Sequence, residues 1–457
     1  MAGEHNPYQE YRTSNTGWLD DVPSTWSNAR MDDIALTIRD QVSPKDIASL
    51  QVMHYSIPII QVTGTGQEED GSTIDSNKFQ VKEGDVLFSK LNPRKQTITT
   101  VRSHYQPVVA STEFIVLRLK LSDQRFVQYL LYSQELKSFV CSQVESATKS
   151  HQRIHPSVIS KLKLALPTED ERAAIANFLD HETAKIDTLI EKQQQLIKLL
   201  KEKRQAVISH AVTKGLNPNA PMRDSGVEWL GEVPEHWKMV PLKYLCNFSG
   251  GGTPSKDNLS YWTGGSIPWV SPKDMKSFWV SDTQDKLTES AVEESSTNYV
   301  EVGAILMVVR SGILQRTIPI AINTVRVTLN QDMKALRCNE RIDVAYAANY
   351  IISNVSSLLL EWSKEGATVE SIEQEYLSGS LIPVPPKQEQ NSINEQIKKR
   401  MDVFTKLESR ASKGIALLQE RRTALISAAV TGKIDVRNWQ APQPSNKSNN
   451  NYKEVAA

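Results

Sequence analysis

The stretch WLDDVPSTW at residues 18–26 returns as WLGEVPEHW at residues 229–237, and this repetition decides the fold. Five of the nine positions are identical, at an offset of 211 residues (229 minus 18). Further along, the residues around Gly84 correspond to those around Gly303, which lies 219 residues later. Matches in the same order at nearly the same offset indicate an internal duplication of the chain.

The ends of the two halves repeat as well, because residues 202–213 match residues 420–431 at an offset of 218. Each half has the same internal order, in which a β-rich segment is followed by a long helix. Short β-branched runs bounded by turn-forming residues are typical of buried strands, and we therefore predict an α+β fold of two similar domains. These runs lie at 108–109, 114–117, 304–309 and 318–327.

The boundaries follow from these patterns and from the composition of the chain ends. Both ends are polar and offer little to bury, so we predict disordered tails there. The predicted divisions are a tail at 1–16, the first domain at 17–167, a long helix at 168–215, the second domain at 216–384, a second long helix at 385–433 and a tail at 434–457.

The two predicted helices are unusually long. Neither proline nor glycine occurs from Thr168 to Thr213, and 46 helical residues would span roughly 69 Å. The spacing from Thr168 to Glu171 is that of a capping box, and Gly215 provides a stop. Apolar residues recur at steps of three, four or seven, which predicts a coiled-coil seam. The predicted seam residues are Ile175, Leu179, Ile186, Leu189, Leu196, Leu200 and Val207 in the first helix, and Ile393, Ile397, Phe404, Leu407, Leu418 and Leu425 in the second.

A small domain cannot cover a helix of this length. We therefore expect the two helices to pair with each other as an antiparallel coiled coil, with a pseudo-twofold axis between the halves. Such a pair would hold the two domains a fixed distance apart. The alternative, in which each helix packs only on its own domain, stays open.

Charge, cysteine content and hydropathy narrow the function classes. The chain has 53 Lys and Arg against 53 Asp and Glu, which argues against a protein that coats nucleic acid by bulk charge. Its three cysteines form no CxxC pair, so neither a disulfide framework nor a zinc site is indicated. We expect a cytoplasmic protein without a membrane partner, because no apolar run has the length of a membrane span or a secretion signal.

Motifs for catalysis are missing. The sequence has no GxxxxGK[ST] loop, no HExxH helix, no GxSxG elbow and no Asn/Asp-Pro-Pro-aromatic loop for adenine methylation. The Gly-rich residues 250–256 lack the second glycine of a phosphate loop. His151 and His155 lie four apart without an obvious third ligand, so we predict no metal site.

Local charge nevertheless suits DNA. Residues 78–165 contain 14 Lys and Arg against 6 Asp and Glu, a surplus of 8. Two clusters, at 89–96 and 148–153, mix cations for phosphates with amides that can pair with adenine. The alternative is that they are merely solvated loops. The DNA-binding candidates of this half are Lys90, Asn92, Arg94, Lys95, Lys149, His151, Gln152 and Arg153.

The second half has comparable Gly-rich loops with polar, aromatic and basic residues, although acidic residues between 282 and 294 argue against indiscriminate binding. The candidates of this half are Gly252, Thr253, Ser255, Lys256, Tyr261, Trp262, Arg310, Ser311, Gln315, Arg316 and Lys334.

Several spaced motifs of the second half resemble, in order, a target recognition domain of the specificity subunits of type I restriction-modification systems. They are SGGGTPS at 249–255, YW at 261–262, IPWVSPKDM at 267–275, VRSGIL at 309–314 and NQDMKAL at 330–336. The first half is similar less specifically, through GDVLFSK at 84–90 and NPR at 92–94, and it lacks the Gly-Gly-Thr-Pro opening.

The resemblance implies a non-catalytic subunit for phage defence. Each target recognition domain would read one half of a bipartite, asymmetric site in double-stranded DNA, and the helices would set the gap. It also implies two methyltransferase subunits carrying S-adenosylmethionine and two restriction/translocase subunits using ATP and Mg²⁺, with no cofactor in this chain. Two alternatives remain: a self-sufficient methyltransferase or restriction enzyme, and a coiled-coil scaffold without DNA function.

Overall fold

The computed structural model describes residues 6–121, 124–144, 152–363 and 370–441. The chain forms two compact units. Unit 1 combines Met1–Gln194 with Lys413–Ala457, and unit 2 is Gln195–Ser412. Each unit therefore contains one β-rich domain, part of the helix that follows it and part of the other long helix. This division differs from the predicted consecutive domains, because the long helices are shared between the units.

In the described part of unit 1, the strands build two larger sheets and two short ribbons. The larger sheets have the orders β10-β9-β12-β4 and β5-β8-β11-β6-β7, where only the β6–β11 pairing is parallel. Strands β1 to β13 span Tyr11–Thr13, Asp21–Pro23, Ser27–Arg30, Ala35–Ile38, Gln41–Val42, Gln51–Tyr55, Gln67–Asp70, Lys78–Gln80, Val86–Ser89, Ile98–Thr100, Val108–Ser111, Phe114–Leu119 and Lys163–Leu166.

Unit 2 contains the corresponding sheets, with the orders β17-β25-β22-β23-β19 and β20-β18-β24-β21. Strands β14 to β26 span Met222–Asp224, Glu232–Pro234, Lys238–Pro241, Cys246–Gly250, Ile267–Val270, Trp279–Val280, Lys286–Leu287, Tyr299–Val300, Ile305–Val308, Ile320–Asn323, Val327–Leu329, Met333–Cys338 and Leu381–Val384. The run β4-β12-β9-β10 of unit 1 reappears as β17-β25-β22-β23, and β7-β6-β11-β8 reappears as β20-β18-β24-β21. The predicted α+β duplication is confirmed.

The helices are equally repeated. Among those of the described residues, none combines the length and apolarity needed to span a bilayer. Helices α1 to α12 span Met31–Ile34, Pro44–Ile47, Ile57–Thr63, Arg125–Leu131, Gln134–Ser142, Ser157–Ser160, Glu169–Lys214, Glu289–Glu294, Val344–Ser353, Val355–Trp362, Gln374–Gly379 and Lys387–Val430.

The central strands of each unit are buried on both faces. In β12, Ile115 and Leu117 face a core that includes the long helices, whereas Phe114 and Val116 face a core between the two sheets. Strand β22 divides in the same way, since Ile305 and Met307 join one core and Leu306 and Val308 the other. Alternate side chains of a strand point to opposite faces. These β-branched and aliphatic runs thereby fix the position of the sheet between two apolar layers.

The long helices pair antiparallel within unit 1. Ile175 and Leu179 of α7 share a core with Ile426 and Val430 of α12. Two to three turns further along α7, the Asp187 carboxylate contacts Arg422, with 3.0 Å between Oδ1 and Nε. As the number rises along α7, the partner number falls along α12, which defines the antiparallel direction.

Unit 2 has the same arrangement with the helices exchanged. Ile208 of α7 shares a core with Ile393 and Ile397 of α12. One turn before Ile208, the Arg204 guanidinium contacts Met401, with 3.1 Å between Nε and Sδ. In each unit a helix start is therefore packed beside the end of the other helix.

The predicted seam is wrong at Leu189, Leu196 and Leu407, which are 47%, 42% and 39% exposed. A strict heptad drifts by about 20° per repeat relative to a straight helix. The buried stripe therefore passes from Leu189 to Ile190 and from Leu196 to Ile197. Buried or half-buried residues recur at Ile175, Leu179, Thr183, Ile186, Ile190, Gln193, Ile197, Leu200, Arg204, Ile208 and Ala211 in α7, and at Ile393, Ile397, Met401, Phe404, Glu408, Ala411, Ile415, Leu418, Arg422, Ile426 and Ala429 in α12. Every position of the second set lies 218 residues beyond its counterpart in the first. The predicted residues Val207 and Leu425 are half-buried beside this stripe.

The repeated tryptophan of the opening motif clamps both helices in unit 1. The Trp26 indole Nε1 donates to the Glu171 carboxylate in the first turn of α7 at 2.9 Å, and the Tyr8 hydroxyl donates to the same oxygen at 2.6 Å. At the end of α12, Gly432 lies against Trp26 and Pro23, where a Cβ would come within 2.4 Å of the proline ring. Thr168 caps α7 through the Glu171 N–H, but the Glu171 side chain binds Trp26 instead of completing a capping box.

Trp237 has the same role in unit 2. Its indole Nε1 donates to Glu389 at 3.2 Å, and Glu389 also contacts His236 at 2.8 Å. Gly215, which ends α7 with a φ of 77°, lies against Trp237 and Pro234. The motif is thus repeated because each domain holds the start of one helix and the end of the other.

The predicted tails at 1–16 and 434–457 are wrong where the structure describes them, at residues 6–16 and 434–441. Tyr8 is buried, and residues 11–13 form β1. The Asp435 N–H donates to the Asn6 carbonyl at 2.8 Å, and Trp439 packs edge-on against Phe178 of α7. The aromatic residues of these polar segments provide the apolar surface that the composition did not suggest.

Replacing Trp26 by phenylalanine removes one of two donors from a carboxylate that is 5% exposed. We expect Trp26→Phe to lower the free energy of unfolding by about 1–3 kcal/mol, because Glu171 is left buried and underbonded. Urea unfolding followed by circular dichroism measures the loss. Trp279→Phe, at a residue that is 52% exposed, is the control. Equal stability of the two variants would contradict this role of Trp26.

Candidate nucleic-acid interface

In unit 1 the structure brings the two predicted clusters together. The loop after β9 forms a short 3-10 turn at Pro93–Lys95, flanked by Asn92 and Gln96 at φ values of 48° and 44°. The Asn92 N–H donates to the Gln152 carbonyl at 2.8 Å, and the Ile154 N–H donates to the Lys90 carbonyl at 3.2 Å. Residues 90–92 and 152–154 therefore run side by side although about sixty positions separate them in sequence.

Not every cation of this face is available for phosphate. Arg153 contacts Glu113 at 3.0 Å, and Arg118 binds the buried Asp85 through two nitrogens at 2.7 and 2.8 Å. The hydrogen bonds to Asp85 raise the pKa of Arg118. Lys90 is half-buried, whereas Arg94 and Lys95 are exposed. The charge surplus counted from the sequence is thus partly spent inside the domain, and the 3-10 turn carries its exposed part.

Unit 2 has the equivalent loop after β22. Arg310 lies 219 residues beyond Leu91, and the 3-10 turn Gly312–Gln315 corresponds to Pro93–Lys95. Arg310 forms a bridge with Ser371, as Leu91 does with Arg153. Gln315 and Arg316 are exposed on this loop, and the Ser311 hydroxyl accepts the Ile313 N–H. The two units therefore present the same loop with different side chains.

The Gly-rich segment of unit 2 packs against the turn that follows β24. The Gly252 N–H donates to the Leu329 carbonyl at 2.8 Å, and a Cβ on Gly251 would lie 2.0 Å from the Asn330 carbonyl oxygen. The Thr253 hydroxyl bonds Gln331 in the same turn. Because the Asp332 carbonyl accepts the Arg310 N–H at 3.3 Å, this turn joins the Gly-rich segment to the loop after β22.

Tyr261 and Trp262 brace the Gly-rich segment. Trp262 donates its Nε1–H to the Ser255 carbonyl at 3.0 Å and meets Trp269 edge to face, with 5.1 Å between ring centroids. The Trp269 indole in turn donates to the Gly252 carbonyl at 3.0 Å. The Tyr261 hydroxyl donates to Glu294 at 2.9 Å. Ser255 and Lys256 remain exposed at the tip of the segment.

Lys334 lies beneath this face, in β25 opposite Gly250. Its ammonium bonds the Gln374 side chain, and burial lowers the pKa of Lys334. A half-buried lysine with a neutral partner is a weaker phosphate contact than an exposed one. Lys256 and Arg316 are the exposed cations among the candidates that lie on the two described loops of unit 2.

Two predicted residues, Lys149 and His151, lie outside the described residues. The sequence analysis also missed neighbours of both loops. Gln61 of α3 bonds Thr97 at 2.9 Å and Lys95 at 3.2 Å, so its amide lies beside the 3-10 turn. Residues 370–372 of unit 2 correspond to 152–154 of unit 1, and the offset of 218 could have identified them. No sequence signal pointed to Gln61, because strand pairing alone brings α3 to the loop.

A family model for the type I restriction modification DNA specificity domain matches residues 23–199 and 234–416. These two ranges contain 177 and 183 residues, or 360 of the 457 in the chain. The chain belongs to the type I specificity family. The two matches begin in the repeated VP motif of each half, so the duplication seen in the fold is also the duplication of this specificity domain.

Relatives and solved structures agree with membership of the type I specificity family. The chain is 35% identical over 264 residues to the EcoR124I/EcoR124II specificity subunit of Escherichia coli, covering 56% of this chain and 59% of that subunit, less than two thirds of its length. A structure on complex assembly and conformational transition of the type I R-M system superimposes with a TM-score of 0.69 at 17% identity, over 90% of this chain and 99% of that one. The HsdS subunit from Thermoanaerobacter tengcongensis gives 0.50 at 17% identity, over 90% and 98%. At this identity the structural likeness shows the shared fold.

Removing the exposed charge of Arg94 tests the loop of unit 1. We expect Arg94→Ala to weaken binding of duplex DNA and to reduce the slope of log affinity against log salt by about one, because one phosphate contact is lost. Fluorescence anisotropy at several salt concentrations measures both. Lys163→Ala, an equal charge change at an exposed position in β13, is the control. If both variants gave the same slope, Arg94 would not contact phosphate.

Proposed function

We propose that this chain is the DNA-reading subunit of a type I restriction-modification complex, in which each unit reads one half of a bipartite, asymmetric site. The observation that carries the proposal is the equivalence of the loops after β9 and β22. Both follow a buried central strand, both form a 3-10 turn, and both are bridged to a second segment at the same offset. One backbone frame used twice suits two readers of one DNA molecule.

The side chains on the two frames differ, which favours dissimilar half-sites. The loop of unit 1 carries Asn92, Arg94 and Lys95, whereas that of unit 2 carries Ser311, Ile313 and Leu314 at the corresponding positions. Sequence is read by side chains that reach base edges, whereas phosphate contacts only position the protein. Two loops with different donors and acceptors would therefore select different bases.

The long helices are proposed to set the gap between the half-sites. Helix α7 has 46 residues and α12 has 44, and each contributes to both units. A continuous helix is stiff and has a fixed rise of about 1.5 Å per residue. Linking two readers in this way also raises the effective concentration of the second contact once the first has formed.

The helices are also proposed to dock the catalytic partners. Two methyltransferase subunits carrying S-adenosylmethionine would modify adenine, and two restriction/translocase subunits using ATP and Mg²⁺ would cleave. This chain is proposed to be non-catalytic, in agreement with the motifs absent from its sequence. Methylation of DNA by the purified chain with S-adenosylmethionine alone would contradict this assignment and favour a self-sufficient enzyme.

Changing one loop at a time tests the division of the site. In complexes with partner subunits, we expect Arg94→Ala to relax base preference in one half-site only, and Arg316→Ala in the other only. Mapping of methylated adenines across a genome measures both preferences. Lys163→Ala serves as the control with an unaltered site. Relaxation of the same bases by both loop variants would show that the two units do not read separate halves.

Shortening the helices tests the gap. Removing the equivalent segments 187–193 and 405–411 takes one heptad from each helix and keeps the seam in phase. We expect the gap to shrink by roughly 10 Å, about three base pairs, because each helix loses seven residues of rise. Methylation mapping reads the gap directly, and a variant without these deletions is the reference. An unchanged gap in a folded, active complex would contradict the spacer role.

A further inference from the structure

Two cysteines that are 92 residues apart in sequence meet in unit 2. Cys246 is the first residue of β17 and Cys338 the last residue of β25, and the two are direct cross-strand partners. Both are free thiols, with 3.3 Å between the Sγ atoms. The sequence contains no CxxC pair, so only the strand pairing brings these two sulfurs into contact.

The type of strand pair decides whether a bond can form between them. The Asn339 N–H donates to the Leu245 carbonyl at 2.9 Å, so the backbone bond flanks the cysteine pair instead of joining it. In such a non-hydrogen-bonded pair the Cα atoms lie about 4.5 Å apart and the side chains approach closely. Disulfides occur at Cα separations of about 4.4–6.8 Å. The two sulfurs can therefore be joined without moving the strands.

The two thiols differ in access and in acidity. Cys246 is 4% exposed, whereas Cys338 is half-buried and can meet a small reagent. The hydrogen bond from Cys246 lowers the pKa of the Cys338 thiol, and the positive charge of Lys387 lowers it further. A thiolate is the attacking form in thiol–disulfide exchange. Cys338 is thus suited to react first and Cys246 to react second.

We propose that Cys246 and Cys338 form a redox-active dithiol that small disulfides such as oxidised glutathione convert into a reversible cross-strand disulfide. The Cys338 thiolate attacks one sulfur of the oxidised glutathione and expels a glutathione thiolate, leaving a mixed disulfide. Cys246 then loses its proton and attacks the Cys338 sulfur, expelling the second glutathione. The two cysteines lose two electrons and two protons, and one glutathione disulfide becomes two glutathione thiols.

The disulfide would act on unit 2 alone. The equivalent cross-strand pair of unit 1 is Ala35 and Leu119, which cannot react. The loop closed by the bond runs from 246 to 338 and includes both candidate DNA-binding loops of unit 2. Closing a loop of this length removes freedom from the unfolded chain, so the oxidised unit should unfold about 5–10 °C higher. Because β17 leads into the Gly-rich segment, oxidation would also slow amide exchange in β17 and β25.

The thiol count of the full-length chain tests the proposal. After incubation with oxidised glutathione and removal of the reagent, we expect the unfolded protein to have one titratable thiol, at Cys141, instead of three. Intact mass should fall by two hydrogens, a peptide pair containing Cys246 and Cys338 should be recovered, and dithiothreitol should reverse the change. Three titratable thiols, or a bond involving Cys141, would overturn the proposal.

Single variants test the order of reaction. Cys246→Ser should trap the mixed disulfide, with a mass increased by one bound glutathione at Cys338, whereas Cys338→Ser should leave Cys246 unmodified. Cys141→Ser is the matched control and should oxidise like the natural chain. Glutathione on Cys246 but not on Cys338 would overturn the order. If either variant fails to fold, the thiol count of the natural chain still decides whether the disulfide forms.

Hydrogen exchange of the natural chain gives an internal comparison. Amides of β17 and β25 should exchange more slowly after oxidation, and those of β4 and β12 in unit 1 should not change. Equal changes in both units, or none in unit 2, would contradict a bond confined to this strand pair. Neither this measurement nor the thiol count involves DNA, so their outcome is independent of the proposed function.

Discussion

One hydrogen bond, made twice, holds the architecture together: the indole of a buried tryptophan donates to a glutamate in the first turn of a long helix. The Trp26–Glu171 and Trp237–Glu389 pairs occupy the same place in the two units. A carboxylate is favoured at a helix start, where the backbone N–H groups have no partner within the helix. The same tryptophan rings contact Gly432 and Gly215, which end the opposite helices. Each domain thereby grips a start and an end, and the antiparallel course of α7 and α12 follows from this grip.

Much of this organisation could be predicted from the sequence. The offset between the two WLxxVPxxW motifs predicted the duplication, and the absence of proline and glycine predicted both helices to within a few residues. Apolar runs predicted strands such as β12 and β22, because a strand buried on both faces must be apolar at every position. The spaced motifs of the second half carried the family resemblance. These signals are local or periodic, and a single sequence records them directly.

The errors share a physical cause, because each concerned a contact between residues distant in sequence. Leu189 and Ile190 are equally apolar, and only the real pitch of the paired helices decides which of them is buried. Glu171 has the spacing of a capping box, yet a buried indole competes successfully for its side chain. Arg153 counted as a free cation until Glu113 came beside it. The polar ends hid Tyr8 and Trp439, whose rings find partners on the other side of the chain.

The close approach of Gly251 to the Asn330 carbonyl separates what can vary in unit 2 from what cannot. Any side chain at Gly251 would push the Gly-rich segment off its supporting turn, and the frame that carries Ser255 and Lys256 would be lost with it. The exposed tip residues make no comparable demand on the backbone. New target preferences can therefore arise in such a domain by exchange of tip side chains, while the scaffold beneath them is inherited unchanged.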